Sequence, residues 1–287
     1  MSIVYVNGEY LPINEAKISI MDRGFLFADA VYEVIGIHRN TPIGLNEHID
    51  RLNKSLQAIL INPPYSLEEW KNIFHQLLKK NPEHSEELGC YIQVSRGAQA
   101  TRTVDIPAHL SPTIVAFLTK STSSSVNSLL QGFKVVTMED PRHRDNYIKT
   151  TGKLPSLLAY HEAKKQGAIE VIFIRNGLAL ECSSSNFFLV KNNILMTSPL
   201  TPTILGGITR DLILKLAKAN HILTEEKETS LDLLHSADEI WITSSTRDIF
   251  PITMLDGQSV GTGTVGPLWH KMIKIYQDYK EQCVTTS

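Results

Sequence analysis

The stretch Glu170-Val-Ile-Phe-Ile-Arg-Asn176-Gly177-Leu-Ala-Leu-Glu181-Cys-Ser-Ser-Ser-Asn186 decides how the rest of the chain is read. Val171 to Ile174 are β-branched or aromatic throughout, which suits a buried strand. Asn176-Gly177 suits a type I′ turn, and Leu178–Leu180 supplies the returning strand. The same device opens the chain, where Ile3-Val-Tyr-Val leads through Asn7-Gly8 into Glu9-Tyr-Leu-Pro-Ile. It recurs at Met254-Leu-Asp256-Gly257-Gln-Ser-Val. Further strands are expected at Phe27–Ile37, Cys90–Ser95, Thr113–Leu118, Phe133–Met138, Ser185–Lys191 and Glu239–Thr243.

Between the strands lie helical patterns. Asn46 suits the cap of a helix carrying Ile49, Leu52, Leu56, Ile59 and Leu60. Ser66-Leu-Glu-Glu69 has capping-box form ahead of Trp70, Ile73, Phe74, Leu77 and Leu78. A helix over Pro155–Lys165 carries Leu157, Leu158 and His161. Another starts near Arg210, with Leu212, Ile213, Leu216 and Ala217 on one face, and the last covers Leu268–Gln282. Many hairpins and few strand–helix–strand alternations predict an α+β fold of largely antiparallel sheets with flanking helices.

The chain's 287 residues allow two domains. The polar segment starting at Lys120 predicts a linker over 120–128 between an N-terminal domain, 1–119, and a C-terminal domain, 129–287. With 42% hydrophobic and 20% charged residues, the composition is that of a soluble globular protein. A net charge of −2 without a basic block argues against nucleic acid or an anionic membrane as partner. Met1-Ser-Ile-Val-Tyr-Val-Asn-Gly does not read as a signal peptide, and Asp29 and Glu33 interrupt the most apolar stretch. Cys90, Cys182 and Cys283 follow no metal-binding spacing. They predict free thiols in the cytoplasm and no metal site.

Chemistry-bearing residues fall at segment ends. Gly261-Thr-Gly263-Thr-Val-Gly266 matches the dinucleotide-binding fingerprint in letters. It follows a hairpin with about twenty residues left, too few for the remaining βαβ unit, so it reads as a turn before the last helix. In Leu205-Gly206-Gly207-Ile208-Thr209-Arg210-Asp211, two glycines precede Thr209 at an expected N-cap. This is either an anion site at a helix start or an ordinary capped turn. Thr243-Ser-Ser-Thr-Arg-Asp248 is likewise a phosphate-binding strand end or a solvated turn. Glu181 is either a buried acid held by a hydroxyl-rich turn or an exposed hairpin glutamate. Lys149 and Lys153 are each a desolvated nucleophile or a surface lysine, and spacing does not choose between them.

Taken in order, these pieces resemble the class IV aminotransferases, fold-type IV enzymes that use pyridoxal phosphate, and most closely their D-amino-acid branch. The matching segments are Asp22-Arg-Gly, Val31-Tyr-Glu-Val34, Asn46-Glu-His-Ile-Asp-Arg-Leu52, Ile148-Lys149, Glu181 with Ser183-Ser-Ser-Asn186, Gly207-Ile-Thr-Arg-Asp211 and Thr243-Ser-Ser-Thr246. The resemblance implies that Lys149 is the Schiff-base lysine and Glu181 the partner of the cofactor's ring nitrogen. It implies that Arg51, Ile208, Thr209, Ser244 and Ser245 hold the phosphate and that Leu205 packs on the ring. Tyr32 and Arg102 take the places of groups that hold the substrate carboxylate. The Arg102 loop of such enzymes reaches a partner subunit's site, which implies a homodimer. The implied reaction is transamination between amino acids, D-alanine above all, and 2-oxo acids. Aminodeoxychorismate lyase and branched-chain L-amino-acid aminotransferase are the alternatives.

One position departs from the pattern. The D-amino-acid branch carries a histidine two residues after the loop arginine, whereas this chain reads Arg102-Thr-Val104, with one extra residue between Gly97 and Pro107. Thr150-Thr-Gly-Lys-Leu-Pro155 also differs from the pattern. Both changes bear on substrate choice and leave the cofactor chemistry as it is.

Overall fold

The computed structural model describes residues 2–82, 86–121 and 125–286. Residues 122–124 of the expected linker lie outside the described set. The chain divides into two compact units: residues 1–121 with Ile148–Gly152, and residues 122–147 with 153–286.

The first unit holds β1 (Ile3–Val6), β2 (Glu9–Pro12), α1 (Arg23–Phe27), β3 (Ala30–His38), β4 (Thr41–Pro42), α2 (Leu45–Ala58), α3 (Leu67–Lys80), β5 (Glu87–Ser95) and β6 (Thr113–Lys120). Its six-stranded sheet runs β2-β1-β6-β5-β3-β4, every neighbour antiparallel. Asn7 and Gly8 take positive φ, 48° and 100°, as the expected turn requires. Val31, Ile35 and Ile92 of the sheet pack with Leu52 and Leu56 of α2 and with Trp70 and Leu77 of α3. The Ser66–Glu69 capping box forms in full.

Two boundaries differ from expectation. Asp22 accepts a hydrogen bond from the Gly24 N–H and caps a short helix over Arg23–Phe27, so Phe27 is helical and β3 begins at Ala30. The N-cap of α2 is Gly44 in the left-handed region, without a side-chain cap; Asn46 lies exposed inside the first turn.

The second unit holds α4 (Val126–Leu129), β7 (Phe133–Glu139), α5 (Leu154–Lys165), β8 (Glu170–Arg175), β9 (Leu178–Cys182), β10 (Asn186–Lys191), β11 (Ile194–Thr197), α6 (Ile208–Ala219), β12 (Thr224–Glu226), β13 (Thr229–Ser230), α7 (Leu231–His235), β14 (Glu239–Ser244), β15 (Asp248–Leu255), β16 (Gln258–Ser259) and α8 (Pro267–Thr286). Its ten-stranded sheet follows β12-β11-β10-β14-β15-β7-β8-β9-β13, with β16 paired to β15. The β11–β12, β15–β7 and β7–β8 pairs are parallel and the others antiparallel. Phe187, Phe188, Trp241, Trp269 and Met272 fill the main core.

On α5 the buried residues are Ser156, Ala159 and Ala163. Leu154, Leu157 and Leu158 are instead exposed, so the apolar spacing read from the sequence marks a surface. The glycine fingerprint is a turn before α8. Glu239 accepts from the Leu268 and Trp269 N–H groups at 2.8 and 2.9 Å and occupies that helix start. A Cβ on Gly266 would lie 2.1 Å from the Glu239 carboxyl carbon, which explains this glycine without a dinucleotide. No described helix is long and apolar enough to cross a membrane.

Candidate active site

In the first unit, residues 148–152 lie alongside the start of β3 like an added strand. Tyr32 N–H donates to the Lys149 carbonyl at 3.0 Å and Thr151 N–H to the Ala30 carbonyl at 3.1 Å, while Val31 and Thr150 form an antiparallel bridge. Ile148 packs on the core of this unit. The Lys149 N–H reaches Ser55 Oγ of α2 at 3.3 Å. The Lys149 backbone is therefore held from two elements, and its half-buried side chain places Nζ 4.6 Å from the centre of the Tyr32 ring. Tyr32 stacks on Tyr91 at 5.6 Å. Burial, then the nearby Tyr32, pushes the Tyr91 hydroxyl up to about 12. The pair forms a neutral aromatic wall beside the amine.

Behind Tyr32 lies an ionic cluster that the sequence reading passed over. Glu33, fully buried, accepts from Arg51 Nε at 2.7 Å and Nη2 at 2.8 Å, and contacts His48 Nδ1 at 2.7 Å. Burial alone would raise the Glu33 pKa, but the Arg51 charge and the hydrogen bonds from Arg51 and His48 outweigh it and hold the carboxyl well below its usual range. Burial holds His48 below its ordinary value. Because the carboxylate is an acceptor only, the proton of neutral His48 sits on Nδ1. Alternation along β3 is the signal for this cluster: Tyr32 and Glu33 point to opposite faces, which places Glu33 with α2.

Lys153, the other candidate nucleophile, is the N-cap residue of α5 in the second unit. In that unit Glu181 sits on β9, buried. Its Oε1 accepts from Arg142 Nη1 at 2.6 Å and its Oε2 from the Leu205 N–H at 3.1 Å and Asn186 Nδ2 at 3.4 Å. Asp140 orients Arg142 by two bonds of 2.8 and 3.0 Å and also accepts from Arg175. An acid with these cationic and N–H donors is stabilised as a carboxylate. Asn186 also donates to the Leu205 carbonyl at 2.9 Å, tying the 205–207 turn to the start of β10. A Cβ on Gly207 would meet Asn186 Oδ1 at 2.0 Å, so a larger residue there would displace the Asn186 amide.

Gly207, not Thr209, is the N-cap of α6, and no side chain caps it. Thr209 is buried inside the first turn, where side-chain hydroxyl and backbone amide accompany the positive helix end. Ser244 ends β14 and Ser245 starts the following turn. A second buried glutamate orders the neighbouring turns. Glu170 accepts from Ser183, from Ser184 at 2.8 Å, from Ser185 at 3.4 Å and from Arg247 at 3.2 Å. An acid heading an otherwise apolar strand was the sequence signal for it. Arg142 had no such signal, because its partner Asp140 is two residues away in an irregular segment.

Each unit thus carries chemistry that suits pyridoxal phosphate. The first has an amine against an aromatic wall and a guanidinium held by Glu33. The second has a buried carboxylate paired with a guanidinium, a helix start without a side-chain cap and paired hydroxyls. Among the described residues no cluster of three His, Cys, Asp or Glu is placed to hold a metal ion. Cys90 and Cys182 are buried free thiols.

The model of the family "Amino-transferase class IV" matches residues 30–255. The D-alanine aminotransferase of Bacillus licheniformis is 37% identical over 265 residues, 92% of each chain. That of Staphylococcus epidermidis is 35% identical over 280 residues, 97% of this chain and 98% of its own. Among solved structures, the branched-chain amino acid aminotransferase of Escherichia coli superposes with a TM-score of 0.85 at 26% identity, covering 97% of this chain and 92% of that one. The norvaline complex of the Thermoproteus uzoniensis branched-chain aminotransferase gives 0.88 at 25% identity, covering 97% and 94%. On the match across residues 30–255 and identities of this level over nearly the full length, the chain belongs to the class IV aminotransferases.

Proposed function

We propose that this pyridoxal-phosphate-dependent aminotransferase exchanges amino groups between D-amino acids, D-alanine first among them, and 2-oxo acids. The observation that carries the reading is the 37% identity with a D-alanine aminotransferase over 92% of both chains. Lys149 is assigned as the lysine that attaches the cofactor, a role supported by its fixed backbone and the adjacent Tyr32 ring. Pyridoxal phosphate, when bound, supplies an electron sink for charge developing on the substrate α-carbon. Lys149 Nζ would attach the cofactor and, when free, would take and return the substrate α-proton as base and acid. Glu181, paired with Arg142, would hold the cofactor's ring nitrogen, and Leu205 would pack on the ring. Arg51, Ile208, Thr209, Ser244 and Ser245 bind the phosphate, the α6 amides acting with the helix dipole. Tyr32 and Arg102 hold the substrate carboxylate.

A homodimer in the cytoplasm completes the proposal, with the domains at 1–119 and 129–287. The exposed leucines of α5 support association, since large apolar side chains grouped on one helix favour a partner surface. The free thiols support a reducing compartment.

The test mixes cofactor-loaded enzyme separately with D-alanine, L-leucine and aminodeoxychorismate, following cofactor absorbance and released product. Pyruvate from D-alanine with no reaction of L-leucine supports the proposal. Turnover of L-leucine alone would assign the branched-chain activity named for the Escherichia coli structure. Release of 4-aminobenzoate would assign the lyase.

A further inference from the structure

Residues 101–105, which carry Arg102, are exposed and outside any helix or strand. Such a segment has little packing of its own to offset the entropy of ordering. Its backbone is nevertheless held by buried side chains, chiefly Arg23 at the first position of α1. Arg23 Nη1 lies 2.8 Å from Gln99 Oε1, 3.0 Å from the Thr103 carbonyl and 3.1 Å from the Asp105 carbonyl. These acceptors stand on both sides of Arg102 in the chain. Gln99 Nε2 adds a bond of 3.3 Å to the Thr103 carbonyl.

Arg23 is itself aimed. Its Nε donates to Asp29 Oδ2 at 2.8 Å, and Asp29 also accepts from Arg96 at 2.7 and 3.0 Å. Arg96 is anchored through the Ile59 and Leu60 carbonyls. Burial pushes the Asp29 carboxyl up, but bonds from Arg96 and Arg23 outweigh it and hold the group below its usual range. Asp29 therefore satisfies Arg23 on the core side, while Nη1 serves the exposed loop.

The loop tip has a second seat. The Arg102 guanidinium carbon lies 4.7 Å from the centre of the Phe27 ring, at the other end of α1. Arg23 packs on the same ring at 4.9 Å. The five residues of α1 thus hold both the backbone around Arg102 and its cationic head. Val104, where the D-amino-acid branch has histidine, is 82% exposed and has no hydrogen-bonding side chain to offer a carboxylate. With one guanidinium and no histidine, carboxylate recognition depends on how well that guanidinium is preorganised.

We propose that Arg23 and Phe27 are positioning residues for carboxylate recognition, Arg23 fixing the loop backbone just after Arg102 and Phe27 seating its guanidinium. This rests on the reading that Arg102 binds the substrate carboxylate. The test uses cofactor-loaded Phe27→Leu, Arg23→Lys and Arg102→Leu, assayed with whichever of D-alanine or L-leucine the unaltered enzyme converts. Measured are KM, kcat, the inhibition constant of propionate as a carboxylate-only probe, and the cofactor dissociation constant.

Phe27→Leu is expected to raise KM and the propionate constant about two- to fivefold. Arg23→Lys, which keeps the charge but not the fork, is expected to raise both about tenfold. In both, kcat and cofactor affinity should stay within about twofold. An increase with Arg102→Leu but none with the other two would overturn the positioning role and leave Arg102 its own. No increase with Arg102→Leu would remove the carboxylate reading and this proposal with it. A loss of kcat and cofactor affinity together in Phe27→Leu would mark a merely structural role and also overturn the proposal. If Arg23→Lys fails to fold, Phe27→Leu decides by the same readings.

Discussion

Glu33 holds Arg51 through two bonds, 2.7 Å to Nε and 2.8 Å to Nη2, in a cluster completed by His48 in which Glu33 and His48 are buried. A guanidinium gripped in this bidentate way has one orientation, so the face it turns toward an anion is set before any ligand arrives. Glu33→Gln should therefore weaken cofactor binding as well as the fold. Loss of the buried negative charge leaves the Arg51 guanidinium uncompensated, an effect of about 3 kcal/mol or more. Urea denaturation of the variant, together with its cofactor dissociation constant, checks both. An unchanged dissociation constant would separate Arg51 from the phosphate.

The same cluster sets an acid limit on stability. Burial keeps His48 neutral below its ordinary value of 6.5, whereas the unfolded chain takes up that proton. Stability therefore falls as pH drops below about 6.5. Glu33, ionised in the fold despite burial, contributes stability present above its ordinary value of 4.5 and lost progressively below it. The expected melting curve has Tm declining in two stages, one below about pH 6.5 and a second that begins below about pH 4.5 and continues to lower pH, and His48→Gln should remove the upper stage. A flat Tm across that range would contradict the assignment.

Glu181 and Arg142 are expected to act together. Glu181→Gln removes the charge assigned to the ring nitrogen and should lower kcat by about a hundredfold or more. Arg142→Met should act in the same direction, because Glu181 then loses its 2.6 Å cation partner. If the double variant is no worse than Glu181→Gln alone, Arg142 works only through Glu181. Additive losses would give it a separate role.

On α3, which carries none of the residues assigned to the site, Ser66→Ala removes the hydroxyl that accepts from the Glu69 N–H, leaves the Ser66 N–H bond to the Glu69 carboxylate, and should cost about 1 kcal/mol of stability. Cofactor affinity and kcat should not change. A change in either would show that stability losses feed into the kinetics, and the other variants would then need correction for it.

What was legible in the sequence followed from local rules. Asn7-Gly8 and Asn176-Gly177 impose positive φ, and both hairpins formed as read. Ser66 and Glu69 carry their helix start in their own side chains. Asn46 and Thr209 misled because a backbone glycine, Gly44 or Gly207, took the cap each was expected to fill. Leu157 and Leu158 misled because periodicity marks an apolar face without saying what covers it. The ionic partners of the site were the least legible part. Arg142 and Glu181 are 39 residues apart, and Glu170 and Arg247 are 77 apart. Only the sheet brings such pairs together.

The central claim is that Lys149, and not Lys153, carries the cofactor. Borohydride reduction of the cofactor-loaded enzyme, followed by proteolysis and peptide mass analysis, tests it directly. The account predicts a pyridoxyl phosphate adduct on Lys149 and unmodified Lys153. An adduct on Lys153, or none on either lysine, would contradict it.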